Sequence, residues 1–336
     1  NGTPVTPLLP FHPRIRSLFS SRELQDRCEL RVIQSSVSSE LEVRLTLPLQ
    51  GQRDGYSISR SYPLKEQNLV AEDLPVITLW PYVSDEQWSL YYLFCDDNPT
   101  NLTVDGFADY DRKLGRDGQQ TVKYFTTRHF PDLVRLSERG QDRGLLPVTP
   151  PARNAETGNQ WQVGIDFGTS FTNFFIDEGA GPENRHLETR VISLTLSQKE
   201  ERQRLLNQYF VPEEMLPNAN NGGNPPTATA ISLRGWQEVI GQVPELFHEA
   251  RLRVPSPGEF GGAELRTGFK WEQMQYQKPF LKELALLISA NAAANGAREL
   301  QWSVSYPSAF SPNEVARYRR VWIELCDDLN ELTGLE

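Results

Sequence analysis

Cysteine is scarce in this chain: three among 336 residues, Cys28, Cys95 and Cys326, odd in number and widely scattered. No disulfide framework can be built on them, and a reducing, cytoplasmic setting is expected. The four histidines, His12, His129, His186 and His248, lack a His or Cys partner at metal-ligand spacing, which disfavours a structural metal site. There is no basic excess. With 34 Lys and Arg against 44 Asp and Glu, the formal net charge is -10, whereas a nucleic-acid binder would normally carry a basic face. Long hydrophobic runs are missing too. The most apolar helical stretch, "FLKELALLISANAAANGA", is too short to cross a bilayer and contains Lys282 and Glu283, so it reads as a core helix and no membrane association is expected. No Gly-x-Ser-x-Gly elbow is present to mark a serine hydrolase, and no internal repeat is visible. The chain opens at Asn1 without methionine or signal peptide and closes at Glu336; it is expected to be part of a longer protein.

What is present suffices for ordinary buried cores: 38% hydrophobic residues, 10% of all residues aromatic. The length fits about two domains. Residues 1–147 read as β-rich, a sandwich or open barrel that would serve as a partner-binding module. "LEVRLTL" alternates apolar and polar side chains, and "VITLWPYV", "WSLYYLF" and "VKYFTT" are further strands between polar turns. The aromatics of "WSLYYLF" are expected in the core rather than on a binding face. "RHFPDLVRLSERGQDRG" interleaves bases with acids and reads as a solvated face. Residues 148–160, proline-rich and then small and polar, read as a linker.

Residues 161–336 alternate strands and helices, an α/β pattern. "WQVGID", "TNFFI" and "VISLTL" are strands, "KEERQRLLNQYF" a helix, "NANNGGNPPT" a loop and "ATAISL" a strand. "KPFLKELALLISANAAA" is a helix stopped by Gly296, followed by the strand "LQWSVSYP". A last helix opens at "SPNE", with Ser311 as N-cap, Pro312 at the first helical position and Glu314 closing a capping box, and it stops at Gly334.

One turn in this second part carries chemistry. In "QVGIDFGTSFTNFFI", two β-prone runs flank a tip that presents Asp166, Gly168, Thr169 and Ser170. A carboxylate at the end of a buried strand needs a role. Gly168 allows close backbone approach, and successive N–H groups in a turn form an anion-binding nest. An aspartate beside such a nest repels a bare phosphate but accepts hydrated Mg²⁺ carried by one. A nucleotide phosphate with magnesium is the ligand this chemistry fits. The alternative is a tight hairpin merely satisfied by common turn residues.

"VGIDFGTSFTN" resembles the first phosphate loop of the actin, heat-shock chaperone and sugar-kinase superfamily. "PTATAISL" followed by "VIGQVPELFHEARL", and "LQWSVSYPSAFSPNEVARYRRVW" with its Pro-x-x-Phe turn, resemble further chaperone segments in the same order. The resemblance covers residues 160–336 and implies one lobe of a ribonuclease-H-like ATPase fold. It implies that Asp166 holds Mg²⁺ through water, that Gly168, Thr169 and Ser170 line the β- and γ-phosphates of ATP, and that Thr172 lies beyond the tip, near the ligand or capping the second strand. A chaperone lysine that orients the attacking water would correspond to Lys270 in "TGFKWEQM", whose alternative role is an ordinary surface lysine before a helix. The family's second phosphate loop and adenosine pocket have no counterpart here, and Glu336 cannot take the role of its catalytic glutamate. The resemblance therefore implies a chaperone-like or actin-like ATPase, inactive as this segment alone. A scaffold whose ATPase fold has lost catalysis is the alternative from another class; a sugar or acetate kinase is disfavoured by the "VSYPSAFSP" segment and the preceding β domain.

Overall fold

Where apolar and polar side chains alternate, as in "LEVRLTL", the chain pairs into strands. A computed structural model describes residues 8–34, 38–47, 55–65, 76–96, 102–105, 110–114, 122–148, 159–179, 192–195, 227–232, 251–252, 265–268, 270–272 and 274–335. The described chain is a mixed α/β protein with several small sheets and few helices. The helix expected at "KEERQRLLNQYF", the loop "NANNGGNPPT" up to Pro226 and most of "VIGQVPELFHEARL" lie outside the described residues.

In the first part, helix α1 (Ser21–Arg27) was not foreseen, although Ser20 and Glu23 form the capping box that marks its start. Strands β1 (Cys28–Gln34), β2 (Ser39–Leu47) and β3 (Tyr56–Pro63) make an antiparallel meander. Its apolar face meets α1 in a small core with Leu9, Leu24, Leu45, Leu133 and Leu145. Next come β4 (Val76–Trp80), β5 (Tyr91–Asp96), β6 (Leu102–Asp105), β7 (Tyr110–Leu114), β8 (Val122–Thr127), β9 (Leu133–Glu138) and β10 (Gln141–Pro147). β9 and β10 form a hairpin with β6 on the far side of β9. That hairpin corrects the reading of "RHFPDLVRLSERGQDRG" as a solvated face. Leu133, Val134, Leu136, Leu145 and Leu146 are buried, and the interleaved charges pair with one another on the outside. Trp88, Tyr91, Tyr92 and Leu93 of "WSLYYLF" are buried in the core, as expected.

The second part contributes β11 (Asn159–Asp166), β12 (Phe171–Asp177), β13 (Ile192–Thr195), β14 (Thr227–Ala228), β15 (Ala230–Ser232), β16 (Arg251–Leu252), β17 (Leu265–Thr267) and β18 (Ala297–Val304). β11 and β12 form the expected hairpin; β18 lies parallel to β11, and β14 antiparallel to β12, giving the order β14-β12-β11-β18. Helix α2 (Gln277–Ala294) is buried on nearly every side, as an apolar helix without a polar face must be. It ends before Gly296, whose φ of 90° suits a residue without Cβ. Helix α3 (Pro312–Thr333) has the expected Ser311–Glu314 capping box and a left-handed Gly334 at its end. Its buried residues Tyr318, Trp322, Leu325 and Leu329 recur at helical spacing. Lys278 and Lys282 of α2 reach Glu324 and Asp328 of α3 at 2.7 and 2.6 Å.

The regions on either side of residues 148–160 share one hydrophobic cluster. Trp80, Trp88 and Tyr91 from the first belong to it together with Trp161, Phe280 and Leu325 from the second. Ser89 donates to the Leu332 carbonyl through its backbone N–H at 2.8 Å, and Asp85 pairs with Arg298 at 3.0 Å. β13, expected as a strand of the second part, instead pairs with β4 at the edge of the sheet β13-β4-β5-β8-β7. The exposed edge of β4 supplied the backbone partners that β13 needed.

Candidate functional site

β11 runs with Trp161, Val163 and Ile165 turned inward, which leaves Asp166 exposed at the strand's carboxyl end. β18, its parallel neighbour, ends at the same level. Ser305, just past β18, donates its backbone N–H to the Ile165 carbonyl at 3.0 Å and its hydroxyl to Asp166 Oδ1 at 2.9 Å. The carboxylate thus sits where the carboxyl ends of two parallel strands meet, the usual place for a ligand in open α/β sheets. Phe167 turns back into the core, stacked on Tyr318 with its centroid 6.2 Å away. Burial pushes the Tyr318 phenol up to about 12.

The tip, Phe167 to Ser170, is held from three directions. The Lys270 ammonium donates to the Phe167 carbonyl and lies 5.5 Å from the centre of the Phe167 ring. The Thr229 hydroxyl donates to the Gly168 carbonyl at 2.9 Å, and the Thr229 N–H to the Ser170 carbonyl at 2.9 Å. Trp271 Nε1 donates to the Thr169 hydroxyl at 3.1 Å. In a trans peptide the carbonyl of one residue points opposite to the N–H of the next. With the Phe167 and Gly168 carbonyls taken by Lys270 and Thr229, the N–H groups of Gly168 and Thr169 face away from those donors. Among the described residues no acceptor takes either N–H. Two neighbouring N–H groups that take no acceptor among the described residues, close in sequence to a carboxylate, have the donor arrangement of an anion nest.

Gly168 has a reason of its own to lack a side chain. A Cβ there would collide with the Phe171 carbonyl oxygen across the tip, so the hairpin demands glycine whether or not a ligand binds. Thr172 is fully buried, and its hydroxyl lies 2.8 Å from that of Thr229. It supports the tip from below and does not border the open face beside Asp166. Ser170 is exposed at the tip. Lys270 stands on a turn whose Gly268 carbonyl accepts from the Trp271 and Glu272 N–H groups; the buried Gln277 side chain donates to the Lys270 carbonyl at 2.8 Å. Burial lowers the Lys270 pKa, and the Asp166 carboxylate pulls it partly back up. The sequence-derived residues Asp166, Gly168, Thr169, Ser170 and Lys270 therefore come together.

The chain matches no family model, no curated protein and no solved structure. The geometry of this site is what any functional reading must rest on. Three of its members escaped sequence reasoning: Ser305, Thr229 and Trp271. For Ser305 a partial signal existed, because it lies near the end of the expected strand "LQWSVSYP". Among the described residues, this site included, no group of three or more His, Cys, Asp and Glu side chains is placed to hold a metal. His12 caps the short 3-10 turn Pro13–Ser17 with its ring nitrogen. Cys28 and Cys326 are half-buried thiols whose pKa values burial raises, the opposite of an activated nucleophile. No helix of the described residues is long and apolar enough to cross a membrane.

Proposed function

We propose that residues 159–335 form one lobe of a ribonuclease-H-like, actin- or chaperone-type ATPase, and that the tip between β11 and β12 holds the phosphates and magnesium of ATP. The observation that carries this reading is the meeting of Asp166 with the unpaired N–H groups of Gly168 and Thr169, at the carboxyl ends of parallel β11 and β18. The strand order, with a hairpin at the start and a parallel strand returning through a buried helix, supports the fold half of the reading. Asp166 would hold Mg²⁺ through water, the outermost part of the tip would hold phosphate oxygens, and Lys270 would orient the attacking water once released from the Phe167 carbonyl. Hydrolysis would need donors from a second lobe around the transferred phosphate. The first 147 residues would recognise a protein partner in the cytoplasm.

A second reading, a scaffold of the same fold without catalysis, is favoured by one observation. Lys270, Thr169 and Gly168 all have duties inside the chain that need no ligand. Titrating the chain with ATP, with and without Mg²⁺, decides between them. The ATPase reading expects saturable, Mg-dependent binding that Asp166→Asn abolishes without lowering Tm. No binding by the wild-type chain, or binding indifferent to Asp166→Asn in a folded variant, overturns it.

A further inference from the structure

Thr229 hydrogen-bonds two carbonyls of the tip. Its N–H holds the Ser170 carbonyl, and its hydroxyl holds the Gly168 carbonyl. The hydroxyl has one proton, and that proton is committed to Gly168. The buried bond between Thr172 and Thr229 must then run from Thr172 as donor to Thr229 as acceptor. Both side chains are almost completely buried, so neither hydroxyl can turn to solvent for a replacement. A directed chain results: Thr172 hydroxyl, Thr229 hydroxyl, Gly168 carbonyl. Fixing that carbonyl fixes the peptide plane, and with it the direction of the Thr169 N–H on the opposite side.

We infer that Thr229 is a positioning residue for phosphate: through the Gly168 peptide it aims the Thr169 N–H at an anion beside Asp166. This rests on the ATP-binding reading for its ligand, but the relay itself belongs to the unliganded chain. Thr229 lies in a short bridge between β14 and β15, so the third strand of the site's sheet sets the geometry of a loop between the first two.

The test compares Thr229→Val, which keeps the shape and loses the hydroxyl, with Thr229→Ser, which keeps the hydroxyl. On the unliganded chain, the amide resonances and hydrogen exchange of Gly168, Thr169 and Ser170 are expected to change in Thr229→Val and to stay close to wild type in Thr229→Ser. With Mg-ATP as probe, Thr229→Val is expected to weaken binding about ten-fold, the equivalent of one lost hydrogen bond, and Thr229→Ser to restore it. A residue that only stabilised the fold would lower Tm without moving the Kd of the folded protein. Unchanged tip amides in folded Thr229→Val overturn the inference whatever ATP does. Changed amides with unchanged Mg-ATP affinity overturn its functional half and leave ATP binding standing. A wild-type chain that ignores Mg-ATP refutes the ATP reading and the assigned ligand, and the amide comparison still judges the relay. Should Thr229→Val fail to fold, Thr229→Ser must match wild type in both measurements; a wild-type fold with lost affinity there also counts against the inference.

Discussion

Two hairpins in this chain end in tips of opposite construction. Between β9 and β10 the turn consists of Arg139 and Gly140, with φ values of 50° and 79°. Both positive, they give the primed turn whose twist matches the flanking strands. Its surroundings are local as well: Arg135 pairs with Asp142 and Arg143 with Glu138, all within one hairpin. A Cβ on Gly140 would meet nothing within 4 Å. Between β11 and β12 the tip is longer, and its polar groups are held by Lys270, Thr229 and Trp271, at sequence separations of 103, 61 and 102. The first turn is written in its own few residues. The second is imposed by the rest of the molecule, which is how a protein holds polar groups in an arrangement the local chain would not keep by itself.

The comparison breaks first, and with the largest effect, at the two glycines. Gly168→Ala places a methyl against the Phe171 carbonyl, so the strands must part or the tip must move. A loss of about 3 kcal/mol is expected, at the upper end for overpacking. Gly140→Ala has open space and only the left-handed backbone to contend with, at about 1 kcal/mol. Chemical denaturation of both variants measures the gap; equal losses would mean the two tips do not differ as described.

A second break lies at Thr229. Thr229→Val leaves the half-buried Gly168 carbonyl without its donor and the fully buried Thr172 hydroxyl without its acceptor. A loss of about 2 kcal/mol follows from unsatisfied buried groups. Arg143→Ala at the other hairpin removes a partly exposed pair and should cost no more than about 0.5 kcal/mol, less still at high salt. A Thr229→Val loss as small as that of Arg143→Ala would remove the distinction between imposed and local tips.

The same contrast explains what could be read in the sequence. Ser311, Pro312 and Glu314 announced the start of α3, and Gly334 its end, because caps are written within four residues. The β11–β12 hairpin and its aspartate were legible for the same reason. The β9–β10 hairpin was missed because Arg135, Glu138, Asp142 and Arg143 drew attention from the apolar residues between them, although "RG" marks the turn. Thr229 and Trp271 could not be read as members of the site, and Ser305 only as a residue near a strand end, since nothing local says which loop a threonine 61 residues away will touch. β13 joined the sheet of β4 for a related reason: edge pairing depends on which strand stands unpaired, and that is decided by the whole fold.

The smallest expected effect is a dependence on pH, and it isolates Lys270, whose ammonium holds the Phe167 carbonyl of the tip. Burial sets the folded-state pKa of Lys270 below the ordinary value of 10.5, against the upward pull of Asp166. Below that folded value both states carry the proton, and the cost of burying the charge is present in full. Between the folded value and 10.5 the unfolded chain binds more protons than the folded one, so stability rises with pH. Lys270→Met keeps an aliphatic stem in the same place and has nothing to titrate. The difference in unfolding free energy between the two proteins should therefore drift in favour of wild type as pH climbs toward 10.5. Tyr318, with its phenol near 12, loses stability in the same direction for both proteins once pH passes 10, and cancels in the difference. Denaturant titrations of both proteins across the alkaline range measure the drift. A difference that stays flat, or moves the other way, would mean that the ammonium on the Phe167 carbonyl is not desolvated, and that Lys270 holds the tip no more firmly than a surface lysine would.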